Sequence, residues 1–403
     1  MTNDKREFQA IVVGGGPAGL TAAVALADGG VSTALVGRKP APGDNRTTAL
    51  LASSVTALET LGVWALCHEQ RAPLRYLRIV DDTGRLWRAP EVKFAADEIG
   101  LEAFGWNIEN RVLVEALTAK AATLPDLEIV EDEVLGVVIA ADHAAVDIKH
   151  GGLLTAPLVV GADGARSLCR EAALIDTDAH RYRQTALTVC FRHTRPHHET
   201  STEFHTPTGQ CTVVPLPGDR ASLVWVLDPQ VADDTAALDD ADLSLAIERA
   251  IHSILGKVTV EPGRGHFPLG VVTARAFGRS RVALVGEAAH VIPPVGAQGL
   301  NLGLRDAATI AELAAAAARD GQDIGGELLL TRYETMRRAD VGSRTLAVDL
   351  LNRSLLTDLL PVQSARGLGL YALDRIGPLR RAIMREGVAP RASQPRLMRG
   401  EAL

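Results

Sequence analysis

Residues Phe8–Ala27 carry no charge, and their apolar positions change period midway. Ala10–Val13 is a short continuous apolar run, which predicts a buried strand. Three glycines and Pro17 interrupt it. Leu20–Ala27 is alanine-rich and suits a helix packed closely on a sheet. Asp28–Gly30 ends that helix, and Val31–Val36 is the next apolar run. Strand, turn, helix and strand in this order predict a βαβ unit, and so a parallel sheet. The run is about long enough to span a bilayer. Its glycines and Pro17 would break a membrane helix, so the βαβ reading is preferred.

Further on, Gly105–Ala122 holds apolar positions at Val112, Leu113, Ala116 and Leu117, a helical spacing. Leu127–Ile148 reads as hairpin-like strands, and Leu158–Gly161 as a buried strand ending in Ala162-Asp163-Gly164-Ala165-Arg166-Ser167. From Thr185 to Leu227 the period becomes two, with Pro and Gly turns, as in an antiparallel sheet. Leu238–Leu255 is helical. Arg281–Gly286 returns to the buried parallel-strand pattern, followed by a loop with two prolines and a helix rich in small residues. Leu346–Leu360 carries leucines at helical spacing and is stopped by Pro361. The chain leaves a nucleotide-binding domain, builds a second sheet and comes back, with no internal repeat.

At 403 residues the chain can bury a large core. A net charge of -7 and 4% aromatic residues exclude a nucleic-acid partner, which wants a basic or stacking surface. The four cysteines (Cys67, Cys169, Cys190, Cys211) have neither CxxC pairing nor zinc spacing and read as reduced, mostly buried thiols. No secretory signal is recognisable in Met1–Gln9, and a cytoplasmic location is expected. Ser364–Leu403 holds eight arginines against three acids, a balance of +5 on an otherwise acidic chain. This basic, partly amphipathic tail is the candidate for peripheral contact with the inner membrane or with a biosynthetic complex.

Gly14-x-Gly16-x-x-Gly19 follows a strand and opens a helix. Gly14 permits the tight turn, Gly16 lets a pyrophosphate approach the backbone, and Gly19 allows close helix–strand packing. Together with Pro17 and Ala18 it predicts a dinucleotide site at a helix N-terminus. The acid expected at the end of the second strand is missing, because Gly37 and Arg38 follow Val36. One lost charge-assisted hydrogen bond weakens binding by about 1.5–3 kcal/mol. Arg38 could instead accept an NADP 2′-phosphate.

Gly161–Ser167 and Arg281–Ala307 decide between the two cofactors. With them the chain resembles the single-chain FAD-dependent aromatic hydroxylases, the para-hydroxybenzoate hydroxylase-like group. The three motifs fall in that group's order and near its spacing, and the resemblance covers most of the chain. It is similar above all to the ubiquinone-biosynthesis hydroxylases, through Asp44–Trp64, Phe104–Leu117, Ser222–Leu227 and Gly286–Asp306. The resemblance implies an α/β fold. A Rossmann-like FAD-binding domain would take residues 1–73, 101–180 and 270–345. An inserted antiparallel-sheet substrate domain would take 74–100 and 181–269, and a helical C-terminal region 346–403.

It also implies roles. Arg46 and Arg111 would contact the FAD, and Asp163 would sit in the motif serving both FAD and a nicotinamide donor, NADH or NADPH. Gly286 and Glu287 would hold the ribityl or ribose hydroxyls. Pro294 would lie at the substrate edge of the ring, in the same loop as Gly296. Gly299, Leu300 and Asn301 would present backbone amides to the pyrimidine end of the isoalloxazine, where reduction places negative charge that a helix N-terminus favours. Pro294 and Gly299 are thus the ring-side positioning residues, and no base is assigned. The family's usual residue at Glu287 is Asp, so the carboxylate here stands one methylene further out.

The expected function is hydroxylation of a polyprenyl phenol ring by O2 through a flavin C4a-hydroperoxide. A flavoenzyme acting on a soluble phenol is one alternative. A non-catalytic scaffold subunit, motivated by Gly37 and Glu287, is another. Gly367-x-Gly369-x-x-Ala372 imitates a nucleotide motif but follows no strand, and reads as a helix connection. His193, His197, His198 and His205 form a patch without a completing acid or thiol, so no metal is expected. His290 reads as a structural hydrogen-bonding group.

Overall fold

The computed structural model describes residues 5–38, 46–84, 89–294, 296–356, 369, 371, 375–388 and 394–403. Strand β1 (Ala10–Val13) turns into helix α1 (Pro17–Asp28) and returns as β2 (Thr33–Val36). Strand β3 (Thr47–Leu51) follows, and β4 (Gly105–Glu109) leads into α2 (Asn110–Ala121). Then come β5 (Leu127–Val130) and β6 (Leu158–Gly161), and the long antiparallel strands β7 (Thr177–His193), β8 (Gly209–Leu216), β9 (Arg220–Leu227) and β10 (Val258–Ala274). Strand β11 (Val282–Leu284), α3 (Gln298–Arg319), α4 (Glu327–Leu356) and α5 (Gly377–Val388) complete the part that concerns the site.

The central sheet has the order Gly278–Arg279, β11, β6, β1, β2, β5. All its pairings are parallel except the two-residue edge, Gly278–Arg279. Leu127–Val130 therefore differs from the expected hairpin: it extends the parallel sheet, with Leu35 opposite Ile129. The hairpin lies just beyond, between Val134–Ile139 and Ala144–Ile148, in a separate four-stranded sheet. A short apolar run fits either kind of strand, so periodicity alone could not separate them. Helix α1 is almost wholly buried, and its alanines let it lie close to α3: a Cβ added at Gly29 would come 2.9 Å from the Ala315 methyl.

The second sheet has eight strands, in the order His290–Val291, β10, β7, β9, β8, Thr200–Thr206, Tyr76–Asp81, Val92–Ala95. Only Thr200–Thr206 and Tyr76–Asp81 pair in parallel. The segment 76–95 thus joins a sheet built mainly of 177–274, and His290–Val291 crosses to it from the nucleotide side. Alternation along β7 and β9 divides this sheet's two faces. Leu187, Val189, Phe191 and Leu223 pack against Leu243 and Ile247 of the helix Asp240–Ala250. Residues of opposite parity, Thr188, Cys190, Ser222 and Val224, look the other way, toward the glycine loops.

The helix expected over Leu238–Leu255 is present as Asp240–Ala250, and a second helix, Pro229–Ala236, precedes it; the two are capped by Asp239 and Asp228. The C-terminal region is not a detachable tail. Leu397 and Met398, in a short helical turn, are buried in the main core. Asp44, Asn45, Thr357–Leu360, Pro361, Ser364, Gly367 and Ala372, which belong to segments named above, lie outside the described residues.

Candidate active site

Backbone geometry makes the first loop. Gly14 has φ +122°, and a Cβ there would stand 2.2 Å from the Ala162 carbonyl oxygen. A Cβ at Gly19 would stand 1.9 Å from the Gly14 carbonyl oxygen. Gly16 is the opposite case: nothing lies within 4 Å of its absent side chain, which opens on a cavity. Helix α1 starts there with Pro17 at its first turn and no side-chain cap, so its first amides face that opening.

The second loop ends in the same way. Strand β11 runs into the turn Gly286–Ala288, then pairs His290–Val291 with Val272 and Thr273 of β10. Gly296 (φ +62°) and Ala297 (φ +54°) reverse the chain into α3, which also lacks a side-chain cap. A left-handed Ala costs about 1–2 kcal/mol. The fold meets that cost to aim a second bare helix N-terminus at the same space.

Both helix starts meet on one cavity of about 410 Å3, within the usual range for a ligand pocket. Its lining includes Gly16–Gly19, Glu287, Gly299, Leu300 and Gly303 from the two loops, with Gly303 packed against Ala18. Thr188, Cys190, Ser222, Val224 and Phe267 of the antiparallel sheet line it as well, as do Ile292 and Pro294. Arg46 and Glu287 are the only Arg, Lys, Asp or Glu side chains among the described lining residues. Two uncapped helix ends and a cradle that a Cβ would fill suit a long dinucleotide whose phosphates need amide donors.

Of the residues expected from sequence, Gly16, Pro17, Ala18, Gly19, Arg46, Gly286, Glu287, Pro294, Gly299 and Leu300 line the cavity. Gly14, Arg38, Arg111, Asp163, Gly296 and Asn301 do not. Arg38 pairs with Glu133 on the surface. Arg111 pairs with Glu109 at 2.5 Å, and its neighbour Asn110 takes the lining position. Asp163 uses both oxygens on its own turn, accepting from Ser167 Oγ at 2.5 Å and the Cys169 amide at 3.1 Å. Gly37 has a physical reason: a Cβ there would stand 2.4 Å from the Gly15 nitrogen.

Asn301 acts through its side chain. Its Oδ1 accepts from the Leu51 amide at 2.9 Å, while Nδ2 donates to the carbonyls of Ala49 (2.8 Å) and Ala297 (2.5 Å). It clamps β3 to the start of α3. Strand β3 in turn carries Thr47 and Thr48 into the cavity wall. The Thr47 hydroxyl donates to Ser222 Oγ at 2.9 Å, and Asn107 Nδ2 donates to the same oxygen at 3.2 Å and to the Pro215 carbonyl at 2.9 Å. These polar contacts join the two sheets across the site. Burial pushes the Cys190 thiol up to about 11, so it lines the wall as a neutral group.

Beneath the second loop lies a chain of buried charges. Asp306 accepts from the Gly286 amide (3.0 Å), pairs with His290 Nε2 (2.6 Å) and accepts from Arg337 Nε (2.6 Å). Arg337 reaches Asp340 at 2.8 Å, which also holds Arg305 (2.8 Å) and Arg344 (2.9 Å). Burial alone would raise the Asp306 carboxyl, but His290 and Arg337 outweigh it and hold it below the ordinary carboxylate range. Sequence reasoning passed over this network. Its available signal was Arg305-Asp306 amid the apolar face of a helix that is otherwise largely alanine and leucine.

Residues 7–347 match the family model of the FAD binding domain. The chain belongs to that family, and with this fold and cavity it is an FAD-dependent monooxygenase. It is 35% identical to ubiquinone hydroxylase UbiL of Rhodospirillum rubrum over 98% of this chain and 93% of that protein. It is 32% identical to 3-demethoxyubiquinol 3-hydroxylase of Escherichia coli, over 96% and 99%. The fold matches the crystal structure of p-nitrophenol 4-monooxygenase PnpA from Pseudomonas putida with a TM-score of 0.78 at 21% identity, over 96% of this chain and 100% of that one.

Proposed function

We propose that the chain hydroxylates the aromatic ring of an uncharged polyprenyl phenol in ubiquinone biosynthesis, using FAD, O2 and a reduced nicotinamide. One observation carries the choice of substrate. The sheet side of the cavity offers Thr188, Cys190, Ser222, Val224 and Phe267, none of them a cation; Arg46, the one Arg or Lys among the described lining residues, is assigned to the FAD in this reading and so is not left to receive a carboxylate. A phenol bearing a carboxylate would be desolvated there without a partner, which is costly. The names of the relatives point to the same pathway.

FAD supplies the electron transfer and oxygen activation when bound. The protein's part is to hold and orient. The amides at the start of α1 would hold the phosphates, Glu287 the sugar hydroxyls, and the start of α3 the pyrimidine end. Pro294 and Gly299 would set the ring side, and Phe267, Ile292 and Val224 would help exclude water from the reacting edge. Loading the protein with FAD and supplying NADH or NADPH, labelled O2 and either a polyprenyl phenol or 4-hydroxybenzoate tests this. Labelled oxygen should enter the polyprenyl phenol. Incorporation into the carboxylated phenol alone would overturn the substrate assignment.

The same reading places α5 against the membrane that holds such a substrate. Its Arg380, Met384 and Val388 face inward, toward Val92, Phe94 and Phe104. Outward it presents Leu379 and Ile383, with Ile376 just before its start, all 41–49% exposed, beside Arg381 and Arg385. An apolar stripe flanked by arginines fits an anionic bilayer surface. No helix among the described residues is long and apolar enough to cross a membrane. Because Leu397 and Met398 belong to the core, the test is L379S/I383S rather than truncation. Sedimentation with anionic vesicles should fall while FAD content stays, and unchanged sedimentation would refute the contact.

A further inference from the structure

The buried charges under the second loop form one connected path from α4 to the cavity wall. It starts at Gln298, in the first turn of α3: Gln298 Nε2 donates to the Gly296 carbonyl (2.9 Å) and its Oε1 accepts from Arg344 (3.1 Å). Arg344 holds Asp340, Asp340 holds Arg305 and Arg337, and Arg337 holds Asp306. Asp306 fixes the Gly286 amide and His290, and both Gly286 and His290 line the cavity. Both ends of the loop that lines the site, 286–290 and 296–298, are thus tied to one column.

The column is charged as well as rigid. It holds three arginines and two aspartates, a surplus of one positive charge besides His290. Side-chain exposure is 2–3% at Asp306, Arg337 and Arg305, and 11–14% at Arg344 and Asp340, so solvent screens these charges poorly. Burial of Arg305 is only partly offset by its partners: its guanidinium is pulled below the ordinary arginine value, first by loss of water and then eased by Asp340. Arg305 Nε and Arg337 Nη2 also find no hydrogen-bond partner. Replacing such a cluster by apolar side chains commonly costs a fold nothing. A purely structural role therefore does not account for three buried arginines at this place.

We propose that the column of Arg344, Asp340, Arg305, Arg337 and Asp306 is a positioning and charge-setting element for the flavin, holding the loop in register and favouring the reduced over the oxidised ring. Taking up a hydride, one proton and two electrons, from reduced nicotinamide leaves the ring with one more negative charge. A surplus positive charge fixed behind the cavity wall stabilises that anion before it forms. The inference rests on FAD binding and is independent of which phenol is hydroxylated.

The test is the midpoint potential of the FAD-loaded full-length protein, read by dye-coupled reduction, with FAD affinity measured in both redox states. Arg344→Gln removes one positive charge and keeps a polar contact to Asp340. The ratio of affinities for reduced over oxidised FAD should fall about fivefold, the low end of coupling between linked sites, which is about 20 mV for a two-electron couple. Arg344→Lys keeps the charge and should stay within twofold of the parent. Asp340→Asn removes a negative charge and should shift the ratio the opposite way. Opposite signs are the signature, because a merely structural role weakens both redox states alike and leaves the potential where it was. Each variant that loads flavin tests the proposal separately. A ratio within twofold of the parent in Arg344→Gln, or a downward shift in Asp340→Asn, would overturn it. Failure of the parent itself to bind FAD would instead fall on the family assignment.

Discussion

Replacing Asn301 by Ala should destabilise the protein by about 3 kcal/mol, from three lost hydrogen bonds at about 1 kcal/mol each. The residue is 1% exposed, and its amide serves Leu51, Ala49 and Ala297 at once. Water cannot easily replace it, and the orphaned backbone groups could push the loss higher. Urea unfolding followed by tryptophan fluorescence, without added FAD, gives the value. FAD affinity should fall as well, since β3 carries Thr47 and Thr48 into the cavity wall. Asn301→Asp sharpens the test. It keeps the acceptor for Leu51 but turns an acceptor toward two carbonyls, so its folded-state carboxyl is held above the unfolded value of about 3.9. A raised folded pKa means the native state binds the extra proton. Stability should be regained at low pH and lost as pH rises from about 4 through the folded value. At neutral pH the Asp variant should be the weaker of the two. An Ala variant within 0.5 kcal/mol of the parent, a difference typical of inert surface changes, or an Asp variant that gains stability as pH rises, would refute the clamp.

Restoring the missing acid with Gly37→Glu should weaken FAD binding, because its Cβ would meet the Gly15 nitrogen at 2.4 Å; fluorescence titration giving tighter binding would contradict this. The four thiols should react slowly with a disulfide reagent at pH 8 and fast in denaturant. Burial holds Cys67 and Cys190 up at about 11, and raises Cys169 and Cys211 further, so reactivity should climb with pH; rapid release of even one equivalent from the native protein would count against it. Arg380→Ala should free α5, since Arg380 grips Glu98 at 2.6 Å and lies over the Phe94 ring; limited proteolysis should then cut within 375–388. The hydrogen bond from Arg380 holds Glu98 below the ordinary range, so this anchor is present above about pH 4.3 and is lost as pH falls through the lowered folded value; protease resistance unaffected by acid would argue against that pairing.

The parts of the fold readable in the sequence are those where local chemistry has few solutions. Gly14 and Gly19 sit where backbones nearly touch, so no other residue type fits, and the βαβ unit follows. The antiparallel sheet was readable from its period of two. Pairing across distance was not: Leu127–Val130 reads as a hairpin strand in isolation, and only its register with Thr33–Val36 makes it parallel. At the site, glycines and the loop prolines announced themselves. Asn301 was expected there for its backbone amide, but its side-chain clamp and the side-chain contacts of Ser222 and Asn107 were not legible, because those partners lie about 100 to 250 residues away in the chain. The resemblance placed Arg111 at the cofactor; in the structure its side chain pairs with Glu109, two residues before it.

The mass of the quinone precursor that accumulates in a strain lacking this gene bears most directly on the proposed reaction. A prenylated precursor one ring oxygen short of the normal pathway, restored to ubiquinone by the parent gene and not by a Gly14→Val variant, is the expected result. Ubiquinone at the parent strain's level, with no such precursor, would contradict it.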